Sequence, residues 1–505
     1  MPSLTNVFKG FYSSCLLIFS VVSIMGLIAT RQTDLSSNAD PATAFAVVWV
    51  GIIWLSMIEG GQGSLVGLAP INSELYKFSH PISYMGIQVA HHGDNLDRYL
   101  LGRQFMVCMV VFVVNIAGSP ADDAELWGYP EWVKNFFFKT GFVMILFTAM
   151  VGQLASQVNG SLNMLDYINN YSAILTFWVA MAIEFSGILH SSYLMQYLLS
   201  AFSGEEIESN EPSRTFIQCM FFWLRCLYSL TILIFCLAVK FNAFLTGKIH
   251  MWGGVPWIVF IIFCLLMVVV GMLEGMQIAS FAVAKLAPSE RGDCHFAKLT
   301  CELLFKGEGD NLPRFMIGRQ LAVVSCMFCI ARLTSVSIPE GGENIFELSD
   351  ALQAFFNFGI AGALITTIIG SIASQLVASA FPVAFLANPF TFALLRLCLF
   401  LESSGVCHGA WVLAFIQKKA WGFQRDEVYI GTAMERAEIE KGDHTEHLHL
   451  GPGHIVKLPN FALNASQTLK NILERNILKE ELLERNESFE SYINSIYDDY
   501  ESDRK

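Results

Sequence analysis

The amino-acid sequence predicts an all-α integral membrane protein with ten transmembrane helices, arranged as two diverged copies of a five-helix unit and followed by a polar tail. Three observations predict this fold class: the composition, the length of the apolar runs, and a motif set that recurs at an offset close to 216 residues.

The composition indicates lipid as the solvent of most of the chain. Apolar residues make up 54% and charged residues 15%, and the apolar ones lie in runs near or above the ~18 residues that cross a bilayer. Backbone groups in lipid must pair internally, so runs without alternation predict helices. The net charge of −13 disfavours nucleic acid as a partner, and most of the twelve cysteines lie singly in apolar runs as small hydrophobic residues.

The apolar runs place the ten spans along the chain. They lie near residues 10–29, 43–68, 104–118, 136–157, 174–202, 215–240, 255–285, 318–336, 352–380 and 382–416. The first run follows Lys9 like a signal peptide, but it is long and it matches the run 215–240 in the repeat. We therefore count it as a span.

The repeat is the most informative feature of the sequence. Gly93-Asp94-Asn95-Leu96 recurs as Gly309-Asp310-Asn311-Leu312. With five spans in each copy, the second copy must cross the membrane in the opposite sense, which predicts an inverted repeat as found in secondary transporters. The predicted units are residues 1–205, 206–416 and a polar tail, 417–505.

The second span of each copy carries a Glu-Gly-x-Gln motif. The motif residues are Glu59, Gly60, Gly61 and Gln62 in the first copy and Glu274, Gly275 and Gln277 in the second. Placing a glutamate at membrane depth costs roughly 2.5–3.5 kcal/mol of insertion free energy, and a glycine weakens a helix by about 1 kcal/mol. Because both residue types are costly here, we expect them to have a function. We expect the glycines to break the helix and release backbone carbonyls to a solute, with a milder break in the second copy.

The third span of each copy begins with a Gly-Arg-Gln motif. Its members are Gly102, Arg103 and Gln104, and then Gly318, Arg319 and Gln320. A lone arginine at a helix end would be expected to snorkel to the headgroups, but here it recurs beside an intramembrane glutamate. The pattern predicts a Glu–Arg pair between the second and third spans of each copy, which leaves the glutamines to face a solute.

A second set of polar residues also recurs in both copies. It comprises Gln157 and Gln375, Glu184 and Glu402, and His190 and His408. These residues are either further site residues or hydrogen-bonding contacts between helices. A membrane enzyme using a histidine with a glutamate is a third interpretation, but symmetric pairs argue against catalysis and we predict no enzyme.

The tail contains one recognisable element. Residues 466–496 predict an amphipathic helix, which is either a short coiled coil that mediates self-association or a helix lying on a surface. A His-rich stretch that includes His444 and His447 precedes it.

The twin Glu-Gly-x-Gln motifs, each followed by Gly-Arg-Gln on a chain of ten predicted spans with a predicted C-terminal coiled coil, resemble the silicic acid transporters of diatoms. The resemblance implies sodium-coupled uptake of orthosilicic acid across the plasma membrane, or also vesicle membranes, with the motif residues as the solute site and both termini cytosolic. No cofactor is expected besides the coupling ion. Another small neutral polyhydroxyl solute, such as boric acid, and a passive channel remain as alternatives. Some relatives carry a cysteine where this chain has Asn163, so no role of that cysteine applies here.

Hard oxygen ligands suit sodium. Released carbonyls of Gly60, Gly61 and Gly275, together with the side-chain oxygens of Gln62 and Gln277, are the predicted sodium ligands.

Overall fold

The structure, a computed structural model, describes residues 4–37, 39–68, 71–93, 95–121, 124–203, 215–246, 256–284, 294–306, 311–334, 349, 353 and 359–430. These residues form helices and connecting turns, with a single isolated bridge between Thr33 and Pro120. Among them, eight helices are long and apolar enough to cross a membrane. The all-helical membrane fold is therefore confirmed, whereas the tail helix predicted at 466–496 lies outside the described residues.

The main helices of the first predicted copy are α1 (Leu4–Ala29), α2 (Pro41–Gly67), α3 (Pro81–Ala90), α4 (Asn95–Gly118), α5 (Phe142–Leu162), α6 (Met164–Ile168), α7 (Tyr171–Phe185) and α8 (Tyr193–Ser203). Those of the second are α9 (Phe216–Leu245), α10 (Pro256–Ala284), α11 (His295–Leu304), α12 (Asn311–Thr334), α13 (Ile360–Ile365 continued by Thr366–Ile372 and Ala373–Ala380), α14 (Pro382–Leu386), α15 (Pro389–Ser403) and α16 (Gly409–Trp421). A last short helix, α17, spans Glu427–Ile430. The eight candidate spans lie in α1, α2, α4, α5, α9, α10, α12 and α13.

Local sequence explains where several helices begin. Asp40 accepts a hydrogen bond from the amide of Ala42 and Pro41 follows it, an arrangement that favours the start of α2. Asn170 and Asn388 cap α7 and α15 in the same way. Gly141 and Gly359 precede α5 and α13 with φ of 71° and 78°, a conformation that favours glycine.

The predicted fifth and tenth spans are not single helices. The run 174–202 divides into α7 and α8 at Gly187, and the run 382–416 divides into α14, α15 and α16, with Gly405 between the last two. Gly187 and Gly405 have φ of 80° and 76°, and a left-handed residue cannot continue a right-handed helix. Neither predicted span is therefore one continuous helix, and a total of ten spans stays a prediction.

Both α5 and α13 contain a stretch of π-helix. It covers Thr148–Leu154 in α5 and Thr366–Ile372 in α13. π-Helical turns are rare and often lie at functional sites, because they rotate the following side chains relative to the helix. Here they precede Gln157 and Gln375.

The first helix of each predicted copy packs against the broken span of the other copy. On α1, Ser13 donates to the carbonyl of Val406 and accepts from the amide of Gly409 at 2.7 Å. On α9, Ser229 donates to the carbonyl of Ile188 and accepts from the amide of Ser191 at 3.0 Å. These hydrogen bonds satisfy backbone groups that the breaks leave without helical partners.

Candidate functional site

A buried ion pair joins α2 and α4. The Nη2 of Arg103 donates to Glu59 at 2.7 Å, and both residues are at least 94% buried, with exposed fractions of 6% and 4%. The predicted pairing of Glu59 with Arg103 is confirmed. Arg103 also donates through Nη1 to the side-chain oxygen of Gln104 at 2.9 Å, which orients that amide.

Two glutamines of α5 complete the surroundings of Glu59. Gln157 donates to one carboxylate oxygen at 2.9 Å and Gln153 to the other at 3.4 Å. Gln157 therefore lies in this cluster, where its hydrogen bond joins α5 to α2. Gln153 was missed by sequence reasoning because the repeat pairs it with Ser371, so no recurring glutamine marked it.

The second cluster lies between α10, α12 and α13 and is looser. Gln375 donates to Glu274 at 2.9 Å and Arg319 donates to Gln320 at 2.7 Å. The closest approach of Arg319 to Glu274 is 3.5 Å, so the second predicted ion pair is present but long for a charge-assisted hydrogen bond. Within the described chain, the Nε and Nη1 of Arg319 are buried without a hydrogen-bond partner.

The two clusters are linked across the predicted copies. Gln104 donates to the hydroxyl of Ser371 at 2.7 Å, and Gln320 donates to the side-chain oxygen of Gln153 at 2.8 Å. The repeat aligns Gln104 with Gln320 and Gln153 with Ser371, so the two hydrogen bonds are equivalent contacts. The Gly-Arg-Gln glutamines therefore connect each arginine to the π-helical stretch of the other half.

The motif glycines provide close packing, and the expected helix break is absent. Helix α2 runs without interruption through Gly60 and Gly61, and α10 runs through Gly275. A Cβ at Gly60 would lie 2.4 Å from the ring of Tyr167, and one at Gly275 would lie 2.3 Å from Phe385. Glycine is needed here because an aromatic ring occupies the space of a side chain, so the predicted release of carbonyls at these positions is wrong for this conformation.

The glycines of the Gly-Arg-Gln motifs have the same role. A Cβ at Gly102 would lie 1.9 Å from the carbonyl oxygen of Ala180, and one at Gly318 would lie 1.9 Å from that of Cys398. These contacts bring α4 against α7 and α12 against α15. The packing sets the depth at which Arg103 and Arg319 enter the core.

The structure leaves Gln62 and Gln277 at the edge of the clusters. Both are half-buried, and within the described chain neither amide hydrogen-bonds to a cluster residue. Each lies three residues after its glutamate, which places it nearly one turn further along the same helix.

Glu184 and His190 belong to a different group at the break after α7. Glu184 accepts from the Nε of Arg98 at 2.8 Å, and the Nε2 of His190 lies 3.7 Å from Glu184. Glu402 and His408 take the corresponding places around Gly405 and are half-buried. Glu184 thus links α7 to α4 through Arg98, which is the interhelical role that the sequence left open.

A cavity of about 230 Å³ lies beside the motif helix α2, between α3, α4 and α7. Gly61, Leu65, Val89, Phe177 and Trp178 are among its lining residues. Its lining is almost wholly apolar, which suits hydrocarbon rather than a polyhydroxyl solute.

In the described part of the chain, eight apolar spans around a core of buried Glu–Arg pairs define a multi-pass membrane protein with polar groups at membrane depth. Such residues are typical of membrane proteins that move polar solutes. A family model described as silicon transporter matches residues 1–495, so the chain belongs to the silicon transporter family and is a membrane transporter whose substrate is silicic acid. Comparisons with curated proteins and with solved structures give no match.

Proposed function

We propose that the protein is a sodium-coupled symporter that takes up orthosilicic acid by alternating access of two inverted five-helix halves. The observation that carries the proposal is the pair of buried Glu–Arg–Gln clusters, joined across the halves by Gln104 with Ser371 and Gln320 with Gln153. A solute that binds between the clusters competes for these hydrogen bonds. Binding would then change how the halves hold together, which is the coupling that alternating access requires.

Matched geometry supports the proposed repeat. Two pairs of glycines, Gly141 with Gly359 and Gly187 with Gly405, share left-handed φ values at an offset of 218 residues. The π-helices begin at Thr148 and Thr366 with the same offset. An odd number of spans in each half makes the two halves antiparallel. Each half can then adopt the arrangement that the other has just left.

The chemistry of the clusters supports silicic acid as the cargo. Each hydroxyl of this neutral tetrahedral acid donates one hydrogen bond and accepts up to two. The amides of Gln104 and Gln320 both donate and accept, Glu274 accepts, and Arg319 can donate through Nε and Nη1, which have no hydrogen-bond partner within the described chain. Because each carboxylate lies beside an arginine, a neutral solute can enter without bringing an unbalanced charge.

For sodium we propose the oxygens of Gln62 and Gln277 with the neighbouring carboxylates as ligands, since sodium prefers hard oxygen donors. Inside a continuous helix each carbonyl accepts from the amide four residues on. The carbonyls of Gly60, Gly61 and Gly275 would therefore join only in a second conformation with opened helices. We further propose the plasma membrane as the location, with both termini in the cytosol.

The test is uptake of radiolabelled silicic acid into proteoliposomes under an inward sodium gradient, compared with an equal potassium gradient. We expect accumulation above equilibrium with sodium alone, and its loss in Gln104→Ala and in Gln320→Ala. Gln88→Ala is the matched control, because Gln88 lies exposed on α3 and bonds Ser73. Equal uptake in both gradients would indicate a passive channel, and full activity of both cluster variants would remove the clusters from the solute site.

A further inference from the structure

The chain that follows the last long helix crosses to the first half of the molecule. Helix α16 ends at Trp421 and is followed by Gly422, which has a φ of 72°, and residues 424–430 then lie against α6. We call these residues the strap. The described chain ends with the last of them, Ile430.

Asp426 of the strap caps helix α6. Its two carboxylate oxygens accept from the amide of Met164 at 3.1 Å and from that of Leu165 at 2.9 Å, and the residue is 7% exposed. The first amides of a helix have no partner within the helix. Asn163, which precedes α6, makes no side-chain cap, so a residue about 260 positions away supplies the cap that local sequence lacks.

Asp166 of α6 holds the strap in return. It accepts from the amide of Gln424 at 2.7 Å, and the hydroxyl of Tyr429 lies 3.3 Å from it. The Nε2 of His80, a buried residue, lies 3.0 Å from the same carboxylate, and the His80 ring meets that of Tyr429 edge-on at 4.4 Å. The strap is thus attached to the N-terminus of α6 and to Asp166 in its middle by groups from separate parts of the chain.

Helix α6 contacts α2 directly beside the candidate site. Tyr167 donates its hydroxyl to the carbonyl of Ser56 at 2.7 Å, and its ring fills the space beside Gly60. Glu59, the carboxylate residue of the first cluster, directly precedes Gly60 in α2. A displacement of α6 therefore moves the helix that carries the carboxylate of the first cluster.

The second half lacks the groups that hold a strap. At the offset of 218 residues, Met164 corresponds to Pro382, which has no amide hydrogen to donate. Asp166 corresponds to Ala384, and Tyr167 to Phe385, which has no hydroxyl. The strap is therefore a specific feature of the first half and not a general consequence of how a half folds.

We propose that the strap is a regulatory clamp through which the C-terminal tail acts on the solute site, with Asp426 as its main positioning residue. Engaged, it holds α6 and Tyr167 against Gly60 and keeps the first half in the present conformation. Released, it frees the first half, so binding or modification of the tail changes transport. The effect on transport rests on the proposed function; the mechanical link from Asp426 to α2 does not.

The test compares Asp426→Ala, Asp426→Asn and Tyr429→Phe with the control Val428→Ala, whose side chain is exposed. Silicic acid uptake gives KM and Vmax, and hydrogen exchange followed by mass spectrometry reports on residues 163–168 and 56–64. Loss of a helix cap shifts a two-state equilibrium by about three- to tenfold, so we expect a KM change of that size for Asp426→Ala. Asparagine keeps one oxygen acceptor and should give a smaller change, as should Tyr429→Phe, which folds with its ring in place.

Faster exchange in both segments together with a changed KM supports the clamp. Faster exchange at 163–168 with unchanged KM and unchanged exchange at 56–64 would reduce the strap to a structural contact and overturn the proposal. If the wild-type protein shows no uptake, the proposed function fails, and exchange at 56–64 alone decides whether Asp426 controls α2.

Discussion

Replacing Glu59 with glutamine removes the negative charge from the better-formed of the two clusters. The new amide can accept through one oxygen, but its nitrogen faces donors from Arg103, Gln153 and Gln157. Arg103 is then a buried charge without a counter-charge. Breaking a buried pair on one side typically costs about 3–5 kcal/mol, and we expect a loss of unfolding free energy in that range.

The chain offers a matched substitution in the other half. Glu274 has a hydrogen bond from Gln375 and a longer contact of 3.5 Å with Arg319. Less is lost when its charge is removed, so Glu274→Gln should cost about 1–3 kcal/mol. The predicted order, Glu59→Gln more destabilising than Glu274→Gln, follows from geometry alone because the residue change is identical.

The assay is unfolding in mixed micelles with increasing SDS, followed by the fluorescence of the ten tryptophans. Glu74→Gln serves as the control, since Glu74 pairs with Lys77 at the surface, where such pairs contribute little. Equal losses for the two cluster variants, or a larger loss for Glu274→Gln, would contradict the assignment of the first cluster as the tighter one.

Two further predictions concern packing and pH. Gly102→Ala should sharply lower the yield of folded protein, because its Cβ would lie 1.9 Å from the carbonyl oxygen of Ala180. Gly10→Ala is the control and should be tolerated, because no atom lies within 4 Å of its Cβ position. Size-exclusion profiles compare the two variants, and equal profiles would refute the close approach of α4 to α7. Burial lowers the pKa of His91, which follows α3 outside the candidate spans and lies 3.0 Å from the Leu65 carbonyl. The unfolded chain then binds more protons below about pH 6.5, so stability should fall from pH 7 to pH 5 and fall less in His91→Gln. Thermal unfolding at the two pH values measures this, and an identical slope in both proteins would exclude His91 as a cause.

The Glu–Arg pairing was predictable because the same residue types recur in both copies, but recurrence alone did not define the clusters, since Gln62 and Gln277 also recur and lie at their edge. Glu59 with Arg103, and Glu274 with Arg319, were paired from their positions alone, since a charge at membrane depth requires a counter-charge. Gln153 and the strap were not predictable in this way. Gln153 lies opposite a serine in the repeat, and Asp426 lies in a polar segment whose composition indicates only solvent exposure.

The motif glycines show why the sequence predicted a helix break that is absent in this conformation. From sequence, Gly60 beside a glutamate predicts a weakened helix. In the fold, the position is occupied by the ring of Tyr167, so the helix remains continuous and packs closely. Helix propensity of a single glycine is worth about 1 kcal/mol, and tertiary packing readily exceeds it.

Composition, run length and the recurrence of motifs by themselves determined that this protein is a helical membrane protein with paired polar sites, because those properties are local and set by the solvent. Only the tertiary structure decided which groups meet. Gln104 and Ser371 are 267 residues apart and Asp426 and Leu165 are 261 apart. Contacts over such distances depend on how helices cross and where they break. The breaks at Gly187 and Gly405 lie inside apolar runs, so only the structure shows them.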